Sequence, residues 1–214
     1  LRVAGNSAMT TAHFEPSVVG DHALIGDLAT SALVSRDGSI DWWCVPDFDS
    51  PACFAALVGD AGHGRWRIAP VDPRYRVHRS YRGPTLILET EFTTAAGSVR
   101  LVDFMPRRDN YPTLVRIVEG LDGRVDLSID LRPRFGYGLS VPAVERVSDM
   151  WRATAGPDTL WLHGPVHVRE DSSGLVEEQD TELHLLPRPP VVAVGEAEED
   201  PGLVLRVLRP GLLQ

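Results

Sequence analysis

The sequence predicts an all-β fold: an antiparallel β-sandwich with one short helix near 51–58 and an irregular C-terminal tail. Three observations carry this expectation. The run "VDLSIDL" alternates strictly, with Val125, Leu127, Ile129 and Leu131 on one side and Asp126, Ser128 and Asp130 on the other, the period of a half-buried strand. Turn signals arrive about every ten residues, the spacing of a sandwich. Neighbouring apolar runs are joined by loops short enough for hairpins.

The elements follow in order. "LVSRDGSIDW" reads as a hairpin with Asp37-Gly38 at its turn, where positive φ is needed. Beyond the turn, Ile40, Trp42 and Cys44 should share one face, and Asp41, Trp43 and Val45 the other. "DFDSP" then reads as a helix start. Ser50 suits the N-cap, Pro51 the first helical position and Gly59 the stop. Cys53, Phe54, Leu57 and Val58 of that helix would pack inward. "TLILETEFTT", "AAG" and "SVRLVDFM" form the next hairpin, "IVEGLDGRVDL" turns at Asp122-Gly123, and "DTLWLHG" follows a Gly-Pro step. Residues 1–21 read as a poorly ordered extension, with Met9 a plausible start, 22–182 as the sandwich, and 183–214 as a Pro-rich tail.

Composition bounds the function. The chain has 214 residues, of which 43% are hydrophobic, enough for one large domain. No apolar run approaches the roughly 18 residues of a membrane span, and the first residues do not read as a secretion signal. The expectation is a cytoplasmic protein that binds no membrane. A net charge of −9 argues against nucleic acid. All 21 basic residues are arginine, as in a high-GC genome. Two cysteines, Cys44 and Cys53, make no disulfide framework and read as buried thiols.

Candidate chemistry is sparse. Asp47 and Asp49, if extended, would lie about 7 Å apart on one face, within the range of an inverting carboxylate pair. Against this, Asp49 precedes the proposed N-cap, where a carboxylate serves the helix dipole. His163 and His167 have a metal-like spacing but are separated by a Gly-Pro turn, so strand-end histidines are the simpler reading. "GDAGHG" follows a helix instead of opening one, and no nucleophile elbow, P-loop or dinucleotide fingerprint is present. No catalytic residue, metal or cofactor is expected. Tryptophans 42, 43, 66, 151 and 161 could stack on sugars or simply pack; Trp43 is the first candidate to face outward. Trp42, Trp43, Asp47 and Asp49 are the candidate binding residues, at a rim or interface. Several strands are apolar on both faces, as at Trp42-Trp43, Leu86-Ile87-Leu88 and Phe104-Met105. An outer sheet face should therefore be an orphaned interface carrying a large apolar patch.

The stretch "IGDLATSALVSRDGSIDWWCVPDFDSPACFAALVG" strongly resembles the N-terminal segment of bacterial family 15 glycoside hydrolases, the trehalase and glucoamylase-like group. Ile25-Gly26-Asp27, Ala32-Leu33-Val34, Asp37-Gly38-Ser39-Ile40-Asp41-Trp42 and Phe48-Asp49-Ser50-Pro51 carry the likeness. It continues through "GRWRIAP", "LVDFMPR", "RIVEGLDGRVDLSIDLRPRFGYG" and "LWLHGP", and covers about residues 22–168 in order. The resemblance implies a sandwich of the supersandwich type that packs on a C-terminal (α/α)6 barrel. The barrel would supply two catalytic glutamates, hydrolysing α-glucosides with inversion. Twelve helices of about 12 residues with connections of about 5 need roughly 200 residues, so the barrel should be absent here. The tail departs from the family: it has no aromatic residue and is broken by Pro187, Pro189, Pro190, Pro201 and Pro210, as in a frameshifted or truncated gene. The expectation is a non-catalytic domain of an α-glucoside hydrolase, inactive alone, whose partners are a barrel and an α-glucoside. A stand-alone carbohydrate-binding module and a non-functional gene fragment are the alternatives.

Overall fold

The computed structural model describes residues 18–148 and 150–163, and the backbone of 168–171, 174–177 and 203–208. Two sheets of antiparallel strands face each other. The first contains β1 (Ala23–Gly26), β2 (Ser31–Val34), β3 (Ser39–Cys44), β4 (Ala52–Phe54), β5 (Arg65–Pro70), β10 (Leu127–Arg132), β14 (Val168–Asp171) and β15 (Gly174–Glu177). Their order is β1-β2-β3-β5-β10-β15-β14, with β4 paired to β3. The second contains β6 (Arg76–Tyr81), β7 (Leu88–Thr93), β8 (Gly97–Phe104), β9 (Thr113–Gly123), β11 (Ala143–Val147), β12 (Met150–Ala155), β13 (Asp158–His163) and β16 (Leu203–Leu208). Their order is β11-β12-β13-β16-β9-β8-β7-β6. The all-β sandwich is therefore observed.

The alternating runs form strands as expected. Ile129 and Leu131 of β10 are buried, and Leu127 packs at the core margin. The hairpin β7–β8 pairs from Leu88↔Asp103 to Thr93↔Ser98. One strand comes from the tail: β16 lies between β13 and β9, pairing Leu205 with both Leu162 and Leu114. Val191, Val192 and Val194, whose alternation would suit an edge strand folded back as cover, lie with the remaining tail, His167 and residues 1–17 outside the described residues.

The helix expected over 51–58 is replaced by a strand and a single 3-10 turn. Residues 52–54 pair with β3, Trp43 opposite Phe54 and Cys44 opposite Ala52, and only Ala56–Val58 is helical in any sense. The Trp43 and Phe54 rings stack at 6.0 Å. Burying three consecutive residues between partners outweighs a local capping preference of about 1 kcal/mol. Ser50 does not cap forward; its Oγ accepts the Asp47 amide behind it, 3.1 Å away. Cys53 and Phe54 are buried, but Val58 faces solvent.

A bulge corrects the expected faces of β3. Leu33 pairs with Trp42 but Val34 pairs with Ile40, so Asp41 is the extra residue and the side-chain alternation flips there. Ile40 and Trp43 consequently both enter the main core, while Trp42 packs on the smaller cluster of Cys44, Ala52 and Ala55. Trp43 is fully buried, so the expectation that it faces outward fails. The buried Asp41 carboxylate takes the Ser39 hydroxyl at 2.5 Å and meets His22 Nε2 at 3.1 Å.

The expected turn at Asp37-Gly38 is present. Asp37 Oδ1 accepts the Ser35 hydroxyl and the Ser39 amide, and Oδ2 accepts Arg67 Nε at 2.8 Å. Burial pushes this carboxyl up, but the Ser35 hydroxyl and Arg67 together outweigh it and hold it below its ordinary value. Gly38 has φ +76°. A Cβ there would sit 2.3 Å from the Ile68 carbonyl oxygen and 3.1 Å from the Phe92 ring.

Between the sheets lies a buried ion pair. Asp103 and Arg116 are directly opposed on β8 and β9, and both side chains are wholly inaccessible. Arg116 Nε donates to Asp103 Oδ1 at 2.8 Å and Nη2 to Oδ2 at 3.1 Å. The guanidinium also reaches across to the other sheet, donating to the Trp66 carbonyl at 2.6 Å and the Gly38 carbonyl at 2.7 Å. It sits 5.1 Å from the Trp66 ring centroid.

Gly38→Val is expected to destabilise by about 3 kcal/mol or more, combining positive-φ strain with a backbone clash; an unchanged unfolding midpoint would contradict the geometry. Arg116→Met should cost about 3–5 kcal/mol, because it strands a buried carboxylate. Adding Asp103→Leu should recover part of that loss, as read by denaturant unfolding of both variants.

Candidate functional site

The candidate residues gather where the β1–β2 turn (27–30), the 45–51 loop and the 105–112 loop meet at one end of the sandwich. The β1–β2 turn is built by Asp27, whose Oδ1 accepts the amides of Ala29 at 3.0 Å and Thr30 at 2.8 Å, the geometry of an Asx turn. Thr30 then donates its hydroxyl to the Cys44 carbonyl. The 45–51 loop joins this turn through the Phe48 amide, which donates to the Ala29 carbonyl at 3.0 Å.

Arg108 locks all three loops. Its Nε donates to Asp27 Oδ2 at 2.8 Å, Nη1 to Asp47 Oδ1 at 2.8 Å, and Nη2 to the Pro46 carbonyl at 2.5 Å. The Asp27 side chain is fully buried, Arg108 is 19% exposed and Asp47 is 54% exposed. Asp47 is thus committed through one oxygen to a guanidinium. Asp49 is exposed two residues on, with no helix behind it to cap. The structure brings Asp47 and Asp49 together on one loop, but Trp43 is buried in the main core.

Trp42 is half-buried on the outer face of β3. Its ring lies 6.0 Å from Tyr137, tilted by 38°. Tyr137 belongs to a tight loop closed by mutual hydrogen bonds between Phe135 and Ser140. Its own amide donates to the Ala52 carbonyl at 3.0 Å, and it has a left-handed φ of 61° between two glycines that share that hand.

Other chemistry is muted. Burial pushes the Cys44 thiol up, against a hydrogen bond from Trp42, and pushes the Cys53 thiol well up, so neither offers a thiolate. His163 ends β13, exposed. Among the described residues no cluster of His, Cys, Asp and Glu could hold a metal, and no helix is long and apolar enough to cross a membrane. Two open clefts of about 400 and 270 Å³ lie at the opposite end, lined by residues such as Arg74, Tyr75 and Arg76, or Arg67, Pro73 and Ser128. Neither includes a candidate residue.

Asp27, Arg108 and Tyr137 escaped notice as site residues in the sequence. The Asp-x-x-Thr spacing could have announced the Asx turn. Nothing local marks Arg108, whose partners are 81 and 61 residues away. Arg108→Ala leaves a buried carboxylate without its charged partner. It should cost about 2–4 kcal/mol and speed amide exchange across 27–30 and 45–51; unchanged exchange there would show that the loops hold themselves.

Comparison with known proteins places the chain. A family model described as "Trehalase-like, N-terminal" matches residues 13–200. The trehalase of Thermoplasma volcanium is 31% identical over 157 residues, covering 71% of this chain and 25% of that protein. Trehalase 1 of Sulfolobus acidocaldarius is 37% identical over 125 residues, covering 58% and 21%. The trehalase of Mycolicibacterium smegmatis is 31% identical over 152 residues, covering 62% and 22%. No solved structure gives a significant match. The chain thus spans about a fifth to a quarter of the length of these curated relatives. With a match along most of its length, the chain belongs to the trehalase-like N-terminal domain family.

Proposed function

We propose that this chain acts as a non-catalytic supporting domain in α-glucoside hydrolysis, working with a catalytic (α/α)6 barrel of the glycoside hydrolase family 15 type. The observation that carries this is the extent of the match. The family match takes up most of this chain, yet the chain accounts for only a fifth to a quarter of each trehalase. The candidate geometry agrees with a supporting role. Asp47 is tied to Arg108, and the loop it sits on is braced by three hydrogen bonds to Arg108 and Ala29. Trehalose is the favoured substrate of the complete enzyme, since the relatives named above are trehalases; a glucoamylase-like preference for longer α-glucosides is the second option. Trp42, Asp47 and Asp49 serve the rim or interface of that assembly. Two buried, unpaired thiols suit a reducing compartment, and we assign the protein to the cytoplasm.

The purified chain should release no glucose from trehalose, maltose or soluble starch. Turnover that disappears in Asp47→Asn or Asp49→Asn would overturn the proposal and promote those carboxylates to catalytic residues.

A further inference from the structure

The exposed apolar side chains of the described residues are unevenly placed. Leu28, Phe48, Val58, Tyr137, Leu139 and Val141 all lie on loops at the end that holds Arg108, with Leu28 90%, Leu139 88% and Phe48 61% exposed. This end is continuous. Phe48 hydrogen-bonds to Ala29, Tyr137 hydrogen-bonds to Ala52 and sets its ring against Trp42, and a Cβ on Gly138 would meet His63 at 3.0 Å.

Two of these residues carry backbone strain. Leu28 has φ +76° and Tyr137 φ +61°, conformations that residues other than glycine, asparagine and aspartate seldom adopt. The Leu28 side chain is turned toward solvent, whereas Tyr137 lies partly against Trp42. Packing in the isolated fold does not repay the strain at Leu28, which is almost wholly exposed. The turn is also rigid, held by Asp27, Thr30 and Arg108. A rigid, strained turn that displays an apolar side chain has already met the ordering cost of binding.

We infer that this loop end, with Leu28 and Phe48 as its anchors, is the surface that docks the catalytic region of a trehalase-length protein. The inference rests on the supporting-domain reading above and adds where and by what chemistry the partner is met. The partner should present an apolar recess with a cationic rim. Asp47, Asp49, Asp60 and Asp109 are all exposed at this end, while of its exposed arginines Arg107 stands beside Asp109 and Arg82, on the β6–β7 loop, is paired with Glu89. The same acidity disfavours a second copy, because a two-fold contact would bring these carboxylates face to face. The relatives show that such a partner has room: three quarters or more of each trehalase lies beyond the match.

Footprinting with hydroxyl radicals tests this directly. This chain would replace the matched segment of the Thermoplasma volcanium trehalase, and side-chain oxidation would be compared between the chimera and the isolated chain. Oxidation of Phe48, Leu28 and Leu139 should fall several-fold in the chimera, while Val71, exposed at the opposite end, stays unchanged. Leu28→Asp with Phe48→Asp should restore oxidation of Leu139 in the chimera. The double variant should not lower the melting midpoint of the isolated chain, since aspartate tolerates the left-handed turn better than leucine. Equal oxidation at the loop end in chimera and isolated chain would overturn the inference. So would protection that appears in the isolated chain as its concentration rises, which would name a second copy as the occupant. Glucose release by the isolated chain would defeat the supporting-domain reading through a separate measurement, and an inert chain with an unprotected footprint would defeat only the docking end.

Discussion

The guanidinium of Arg116 is the constraint on which the two sheets depend. A charge with no access to water must find every partner inside the protein, and here the partners come from different layers. Asp103 is its neighbour in the same sheet, while the Trp66 and Gly38 carbonyls belong to the opposite one. Apolar cores tolerate small slides of one sheet over another, because contact between methyl groups has little direction. Four hydrogen bonds to fixed oxygens do not. The pair adds less to stability than to the uniqueness of the packing, since desolvating both ions offsets most of their attraction. It also explains why the 35–39 turn cannot vary freely. The Gly38 carbonyl must face inward, and that orientation requires the left-handed backbone that only glycine fits beside Ile68.

Arg108 repeats the device at the surface. It joins three loops through Asp27, Asp47 and the Pro46 carbonyl, as Arg116 joins two sheets, but with part of its fork in reach of water. Both sites exploit the planar, multidentate head of arginine, which a lysine would not reproduce. The difference in burial separates their roles: one orders the core, the other braces loops that face outward.

What was legible in the sequence was local. Alternation at Val125–Leu131, the hairpin after Leu88 and the turn at Asp37-Gly38 follow from side-chain period and backbone sterics, which neighbours alone decide. What was hidden depends on distant pairing. Ser50-Pro51 carries good helix-start chemistry, yet residues 52–54 pair with β3 as a strand, all three buried and Phe54 stacked on Trp43. The single extra residue at Asp41 reverses the faces of Trp42 and Trp43, and a bulge of this kind leaves no composition signature. Arg108 was invisible as a site residue for the same reason: its partners lie in other loops.

The doubly apolar strands also bear on where an interface can form. Trp42 and Trp43 do point to opposite sides, as strand neighbours must. The outward one is not left bare, because Tyr137 is bent over it from the loop that Phe135 and Ser140 close. On the second sheet, Val102 lies between the core residues Leu101 and Asp103 and so points away from the core, yet only 2% of it is exposed. At both places the outer apolar residues are covered within this chain. The apolar surface that remains exposed includes Leu28, Phe48 and Leu139, on loops. A sheet face offers a broad contact whose strands are already fixed by their ladders. A loop end must be stiffened before it can bind without a large entropic loss, and the Asx turn at Asp27 with the Arg108 fork provides that stiffness. Of the surface left exposed, the loop end is therefore the part already stiffened for docking.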